Sequence, residues 1–105
     1  LLLQRFGGEG MSVYRNRVRL YADILRAVRD GCGDEGFARV SVIMRKSNTS
    51  YGKLSEMLDE LSRSSMLEVV ESDDGKGYRL TDVGMKFLEE YERLERFAKA
   101  YGLRL

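Results

Sequence analysis

The chain has 105 residues, 43% hydrophobic and 33% charged, which fits one compact domain and leaves little for a second. It contains no His, the commonest general base and metal ligand, and its one cysteine, Cys32, excludes an intrachain disulfide and a multi-Cys zinc site. No apolar run approaches the ~20 residues that span a bilayer, and Leu1-Leu2-Leu3 lacks the cationic start and apolar stretch of a signal peptide, so a soluble, cytoplasmic, membrane-free protein is expected.

Zero Pro with high charge suits a helix-rich chain, and with zero Trp the core must come from Leu, Val, Ile and Met. The net charge of +1 hides a separation of sign. Residues 12–29 carry Arg15, Arg17, Arg19, Arg26 and Arg29 against Asp23, and residues 37–55 carry Arg39, Arg45, Lys46 and Lys53 with no acid. Residues 56–75 carry seven acids against Arg63. A basic face of this kind attracts a polyanion although the molecule is nearly neutral; the alternative is ordinary solvated helix charge.

Residues 1–11, glycine-rich and ending at Met11, read as a flexible leader. From Tyr14 to Asp30 the apolar positions Tyr14, Val18, Tyr21, Ile24, Leu25 and Val28 recur at three- and four-residue spacing, predicting an amphipathic helix closed by Gly31. Gly31 to Gly36 is a loop. Cys32 within it has no activating base nearby and is a plain loop residue.

Val40 to Lys46 predicts a short helix. Ser47-Asn48-Thr49-Ser50 makes a polar turn and offers an N-cap, and Tyr51 to Ser64 forms a longer helix on Leu54, Met57, Leu58 and Leu61. Two helices in series about a polar turn have the layout of a helix-turn-helix. Met66 to Glu71 reads as a strand, Ser72 to Gly77 as a turn with Asp-Gly its strongest signal, and Tyr78 to Leu80 as the returning strand. A hairpin after a helix-turn-helix is a wing. Thr81 then caps a last helix, on which Gly84, Phe87, Tyr91, Leu94, Ala98 and Tyr101 follow a heptad spacing flanked by mixed charge. Because a domain is already complete before this helix, the apolar line suggests a second copy of the chain as its partner.

At these residues the sequence is similar to the archaeal winged helix-turn-helix proteins of the ArnR-like group, which includes small dimeric chromatin proteins with a long C-terminal helix. The likeness runs from about Arg15 to Leu94. It is carried by Arg19-Leu20-Tyr21-Ala22-Asp23-Ile24-Leu25 and by Ile43 to Tyr51 across the turn. It continues through Leu54 to Leu61 and the junction Tyr78-Arg79-Leu80-Thr81-Asp82-Val83-Gly84. The resemblance implies a double-stranded DNA-binding homodimer joined through its C-terminal helices as an antiparallel coiled coil. The expected fold is thus α+β, mostly helical: a leader over 1–11, a winged helix DNA-binding domain over 12–81 and a dimerisation helix over 82–105.

Candidate DNA contacts are Ser50, Tyr51 and Lys53 at the start of the recognition helix, with Tyr51 a core or cap residue as the alternative. Arg45, Lys46, Ser47, Asn48 and Thr49 are assigned to the phosphate backbone, and Lys76 and Arg79 to the wing, although Asp73 and Asp74 oppose that. With no Asn, Gln or Arg on the first turn of that helix, weak sequence preference is expected. Candidate dimerisation residues are Phe87, Tyr91, Leu94, Ala98 and Tyr101. Glu56, Asp59 and Glu60 make the rest of the recognition helix acidic, which leaves a protein-interaction module as the alternative function. No nucleophile with a base, no paired catalytic acids and no metal-ligand cluster is legible, so neither enzyme activity nor a cofactor or small-molecule substrate is expected.

Overall fold

The computed structural model describes residues 15–105; the leader expected over 1–11 and the helical start expected at Tyr14 lie outside the described residues. Seven main elements follow in order: α1 (Arg17–Gly31), β1 (Ala38–Arg39), α2 (Val40–Ser47), α3 (Tyr51–Arg63), β2 (Leu67–Ser72), β3 (Gly75–Leu80) and α4 (Asp82–Ala100). Three helices, a hairpin and a long last helix are the α+β, mostly helical, winged helix-turn-helix architecture that the sequence predicts.

Local chemistry sets the boundaries. The Asn16 side chain accepts from the Arg19 amide at 2.7 Å to cap α1, and Ser50 and Thr81 do the same for α3 and α4. α1 runs through Gly31 and ends on Cys32, whose thiol donates to the Val28 carbonyl at 3.1 Å; burial pushes that thiol's pKa up, so it stays protonated. The core gathers on α1, where Leu20, Ala22, Ile24, Leu25, Ala27 and Val28 are buried together with Ile43, Leu54, Met57, Leu61, Leu67 and Leu88. Val18 departs from its expected place in the apolar stripe and is 49% exposed, although Leu20 in the same turn is buried.

The sheet has three antiparallel strands in the order β1-β3-β2. The hairpin is longer than predicted: Ser72 pairs with Gly75, so Asp73 and Asp74 alone form the tip and Lys76 and Gly77 belong to a strand. No sequence signal marks β1, which pairs Ala38 with Tyr78 and Arg39 with Gly77. Phe37 packs on Gly77 there, and a Cβ on that glycine would lie 2.0 Å from the ring.

The junction from Tyr78 to Gly84 joins wing to α4. Tyr78 is buried, Thr81 caps α4, and its backbone N–H donates to the Met66 carbonyl at 3.2 Å. Gly84 lets the first turn of α4 settle onto that same carbonyl, since a Cβ there would lie 2.1 Å from the Met66 oxygen. A backbone oxygen tied into a strand end cannot retreat as a flexible side chain does. Gly84→Ala is therefore expected to cost about 2–3 kcal/mol in urea denaturation, at the upper end of overpacking effects.

Candidate nucleic-acid interface

The link between α2 and α3 is held from inside. Asn48 adopts a left-handed conformation (φ 54°), and its N–H reaches the Arg45 and Met44 carbonyls, closing α2. The Thr49 hydroxyl donates to the Ser47 carbonyl at 3.2 Å. Arg15, just before α1, then reaches across the fold. It donates to Asp23 at 2.9 Å, to the carbonyls of Ser47 and Asn48 at 2.8 and 2.9 Å, and to the Thr49 hydroxyl at 3.5 Å. One guanidinium thus ties the start of α1 to three consecutive residues of the turn. In the sequence Arg15 counts only as one charge of a basic segment.

This internal bonding corrects two assignments. Ser47 is 4% exposed and Thr49 8%, so neither side chain stands at the surface as the backbone-contact role requires; the Thr49 hydroxyl is used by the Ser47 carbonyl, and the Ser47 hydroxyl is buried with no partner among the described residues. Asn48 and Ser50 are exposed, and so are Arg45, Lys46, Tyr51 and Lys53. Tyr51 is 65% exposed, which settles its core alternative against burial. A groove of about 400 Å³ at the start of α3 is lined by Arg15, Arg17, Asn48, Ser50 and Lys53.

Ion pairing distributes the charge differently from the sequence count. The Arg17 guanidinium and the Tyr21 hydroxyl both hydrogen-bond Glu60, which holds that carboxyl below the usual carboxylate range and raises Arg17 further. Lys53 lies 3.7 Å from Glu56, and Arg39 pairs with Glu35 at 2.9 Å and Asp74 at 3.6 Å. On the wing Arg79 donates to Glu68 at 2.9 Å, which lowers the Glu68 pKa, while Lys76 is exposed. Among the described residues, Arg45, Lys46 and Lys76 have no carboxylate within 4.0 Å. Beyond its first turn, α3 exposes Glu56 and Asp59.

α4 does not present the apolar line that the heptad spacing assigns to a partner. Tyr91 and Ala98 are 7% and 4% exposed, and Phe87 packs on the core with its ring edge-on to Tyr21 at 6.4 Å. Those three positions face α1 because an α-helix of 3.6 residues per turn lays them on the same side as Gly84 and Leu88. Leu94, Phe97 and Tyr101 remain 49%, 53% and 69% exposed, the last two rings stacked at 4.6 Å. Phe97 lies off the heptad spacing, so the sequence pattern does not single it out.

A two-helix unit with its link pinned to α1, followed by a two-stranded wing, defines a winged helix-turn-helix protein. A family model described as winged helix-turn-helix matches residues 14–99, and the chain belongs to that family. Solved structures share the fold at low identity. Sso10a-2, a DNA-binding protein from Sulfolobus solfataricus, matches with a TM-score of 0.69 and 20% identity over 83% of this chain and 85% of that one. AF1382 from Archaeoglobus fulgidus matches with a TM-score of 0.64 and 16% identity over 78% and 89%. The Rio2 kinase from Chaetomium thermophilum matches with a TM-score of 0.65 and 18% identity over 73% of this chain but 23% of its own. A comparison with curated protein sequences finds no match.

Removing the Arg15 head should loosen the turn before it unfolds the domain. Arg15→Gln is expected to lower stability by about 1–2 kcal/mol, the worth of a charge-assisted bond or two in a partly exposed site. Amide exchange at Asn48 to Ser50 should accelerate more than exchange along α4.

Proposed function

We propose that the chain is a double-stranded DNA-binding protein that acts as a homodimer, in transcription regulation or chromatin organisation, with weak sequence preference. The observation that carries the reading is the surface at the end of α2 and the start of α3. Arg45 and Lys46 stand there without acidic partners among the described residues, at the end of α2, the helix that crosses the phosphate backbone in a helix-turn-helix while α3 enters the major groove. Sso10a-2, which shares the fold, is itself a DNA-binding protein. Ser50, Tyr51 and Lys53 would meet base edges or nearby phosphates. Asn48 and Lys76 would meet backbone, and Arg79 would do so only by leaving Glu68. A helix that offers Ser, Tyr, Gly and Lys in its first turn and acids beyond it has little with which to distinguish bases. Membership in the archaeal ArnR-like group is part of this proposal.

The homodimer reading rests on Leu94, Phe97 and Tyr101, with α4 (within the segment 82–105) as the dimerisation element. Burying each such side chain is worth roughly 1.5–3 kcal/mol, and a two-fold contact uses each one twice. The exposed Glu56 and Asp59 favour a second reading, a protein-interaction module on the same scaffold.

Salt separates the two. Arg45→Glu with Lys46→Glu should weaken binding to unrelated duplexes alike and flatten the slope of log affinity against log salt by about 0.9 for each phosphate no longer neutralised. Lys86→Gln on α4 should change neither. Unchanged affinity in a folded double variant would transfer the interface to a protein partner. Leu94→Asp should convert the dimer to a folded monomer by light scattering, and a wild-type monomer at high micromolar concentration would refute the dimer.

A further inference from the structure

A groove of about 650 Å³ lies between α1 and the last turns of α4, on a part of the surface that the DNA reading does not use. Arg26 lines it, as do three further basic groups, Arg19 from α1 and Arg96 and Lys99 from α4. All three are exposed, and none has a carboxylate within 4.0 Å among the described residues. Its apolar groups are Ala98, which is buried, and Leu103 and Leu105, which are half exposed. The ring of Tyr91 also lines it.

Tyr91 is the informative residue. The fold's own packing leaves it only 7% exposed, yet its hydroxyl makes no hydrogen bond to a described residue. The hydroxyl is not sealed inside, because the fully buried unpartnered side-chain atoms are those of Ser47 and Ser62. Burial pushes its pKa up, so it is a donor at neutral pH. The two acids of the groove, Glu92 and Glu95, are each held by Arg26 at 3.1 Å, with Arg29 also 3.5 Å from Glu92. Their charge is therefore largely compensated, and the uncompensated groups are cationic.

The Tyr91 hydroxyl is therefore open to the groove with a free donor, and most arginines on α1, unlike Arg19, pair with acids. One unpartnered hydroxyl and three unpaired cations beside exposed leucines ask for an anion with an apolar body. We propose that this groove binds a small amphipathic carboxylate, its head held by Tyr91, Arg19, Arg96 and Lys99 and its hydrocarbon laid on Leu103 and Leu105. At about 100° per residue Arg96 and Lys99 lie on roughly the opposite flank of α4 from Leu94, Phe97 and Tyr101. The site is thus free in a dimer built on that other flank. Its ligand bridges α1 to α4, and its test does not depend on DNA binding.

Octanoate titrated into the intact protein is the test, with octan-1-ol lacking the charge and acetate lacking the body. Octanoate should saturate one site per chain at on the order of 1 mM, as about ten heavy atoms in an open groove allow. It should shift the ring resonances of Tyr91, with octanol and acetate at least tenfold weaker. Arg19→Gln with Lys99→Gln should weaken octanoate about tenfold while the fold is retained, the loss expected when charge-assisted hydrogen bonds go. Tyr91→Phe, which keeps the packed ring, should weaken it several-fold. Equal binding of octanol and octanoate, indifference to the charge variants, or saturation without a response at Tyr91 overturns the proposal, as does absence of saturation.

Discussion

Burial of α1 on almost every side is the constraint from which the rest of the structure follows. Ala22, Ile24, Leu25 and Val28 are wholly excluded from solvent, and the helix touches α2, α3, α4, β1 and β3. Its apolar surface is therefore broader than the stripe of a helix with one wet face. Ala22 and Ala27 keep that surface low, so neighbours approach closely without voids. Everything functional is then arranged around a fixed axis: the turn before α3 at its start, the sheet along its body, and α4 along another side.

The arginines of α1 follow from that placement. A helix surrounded by other elements has its cations near their acids, and Arg17, Arg26 and Arg29 are engaged by Glu60, Glu92, Glu95 and Asp30. Exposed pairs of this kind add little stability one at a time. Their consequence is chiefly positional, because those to Glu60, Glu92 and Glu95 fix α3 and α4 against α1. They also occupy most of the basic segment, so that among the described residues the cations without a carboxylate within 4.0 Å are Arg45, Lys46, Arg63, Lys76, Arg104 and the three of the α1–α4 groove, Arg19, Arg96 and Lys99.

The helices and hairpin are legible in the sequence because their signals are local: apolar spacing, a capping side chain, an Asp-Gly pair. β1 is not, since two residues carry no period and exist as a strand only because β3 lies beside them. The exposed face of α4 escapes for a related reason. Over a few turns a heptad line and a 3.6-residue stripe overlap, and only the position of α1 separates Tyr91 and Ala98 from Leu94 and Tyr101. Among the interface residues, side-chain type locates Arg45, Lys46, Tyr51 and Lys53 at the surface. It does not distinguish Ser47 and Thr49, which are buried, because a small polar residue serves equally well to bind a ligand, to bond a turn carbonyl as Thr49 does, or simply to fit a tight interior position as Ser47 does. The part played by Arg15 depends on contacts more than thirty residues away in sequence, which no local pattern encodes.

The pinned turn and the acidic outer face of α3 argue together for how this scaffold engages a duplex. On the proposed DNA-binding reading, Glu56 and Asp59 would repel phosphate further along α3 and favour contact at its first turn, where Gly52 adds no side chain and a Cβ would meet nothing within 4 Å. Glycine in a helix costs up to about 1 kcal/mol relative to alanine. No internal packing explains it at this position, and in the proposed reading it would let a ligand's backbone come close. In that reading a short first-turn contact would give register without base discrimination, and register is worth having only if the turn does not move. Arg15 would supply that rigidity through its bonds to the Ser47 and Asn48 carbonyls and the Thr49 hydroxyl. Orientation and contact are thus divided between residues that are far apart in the chain, with α1 as the common frame.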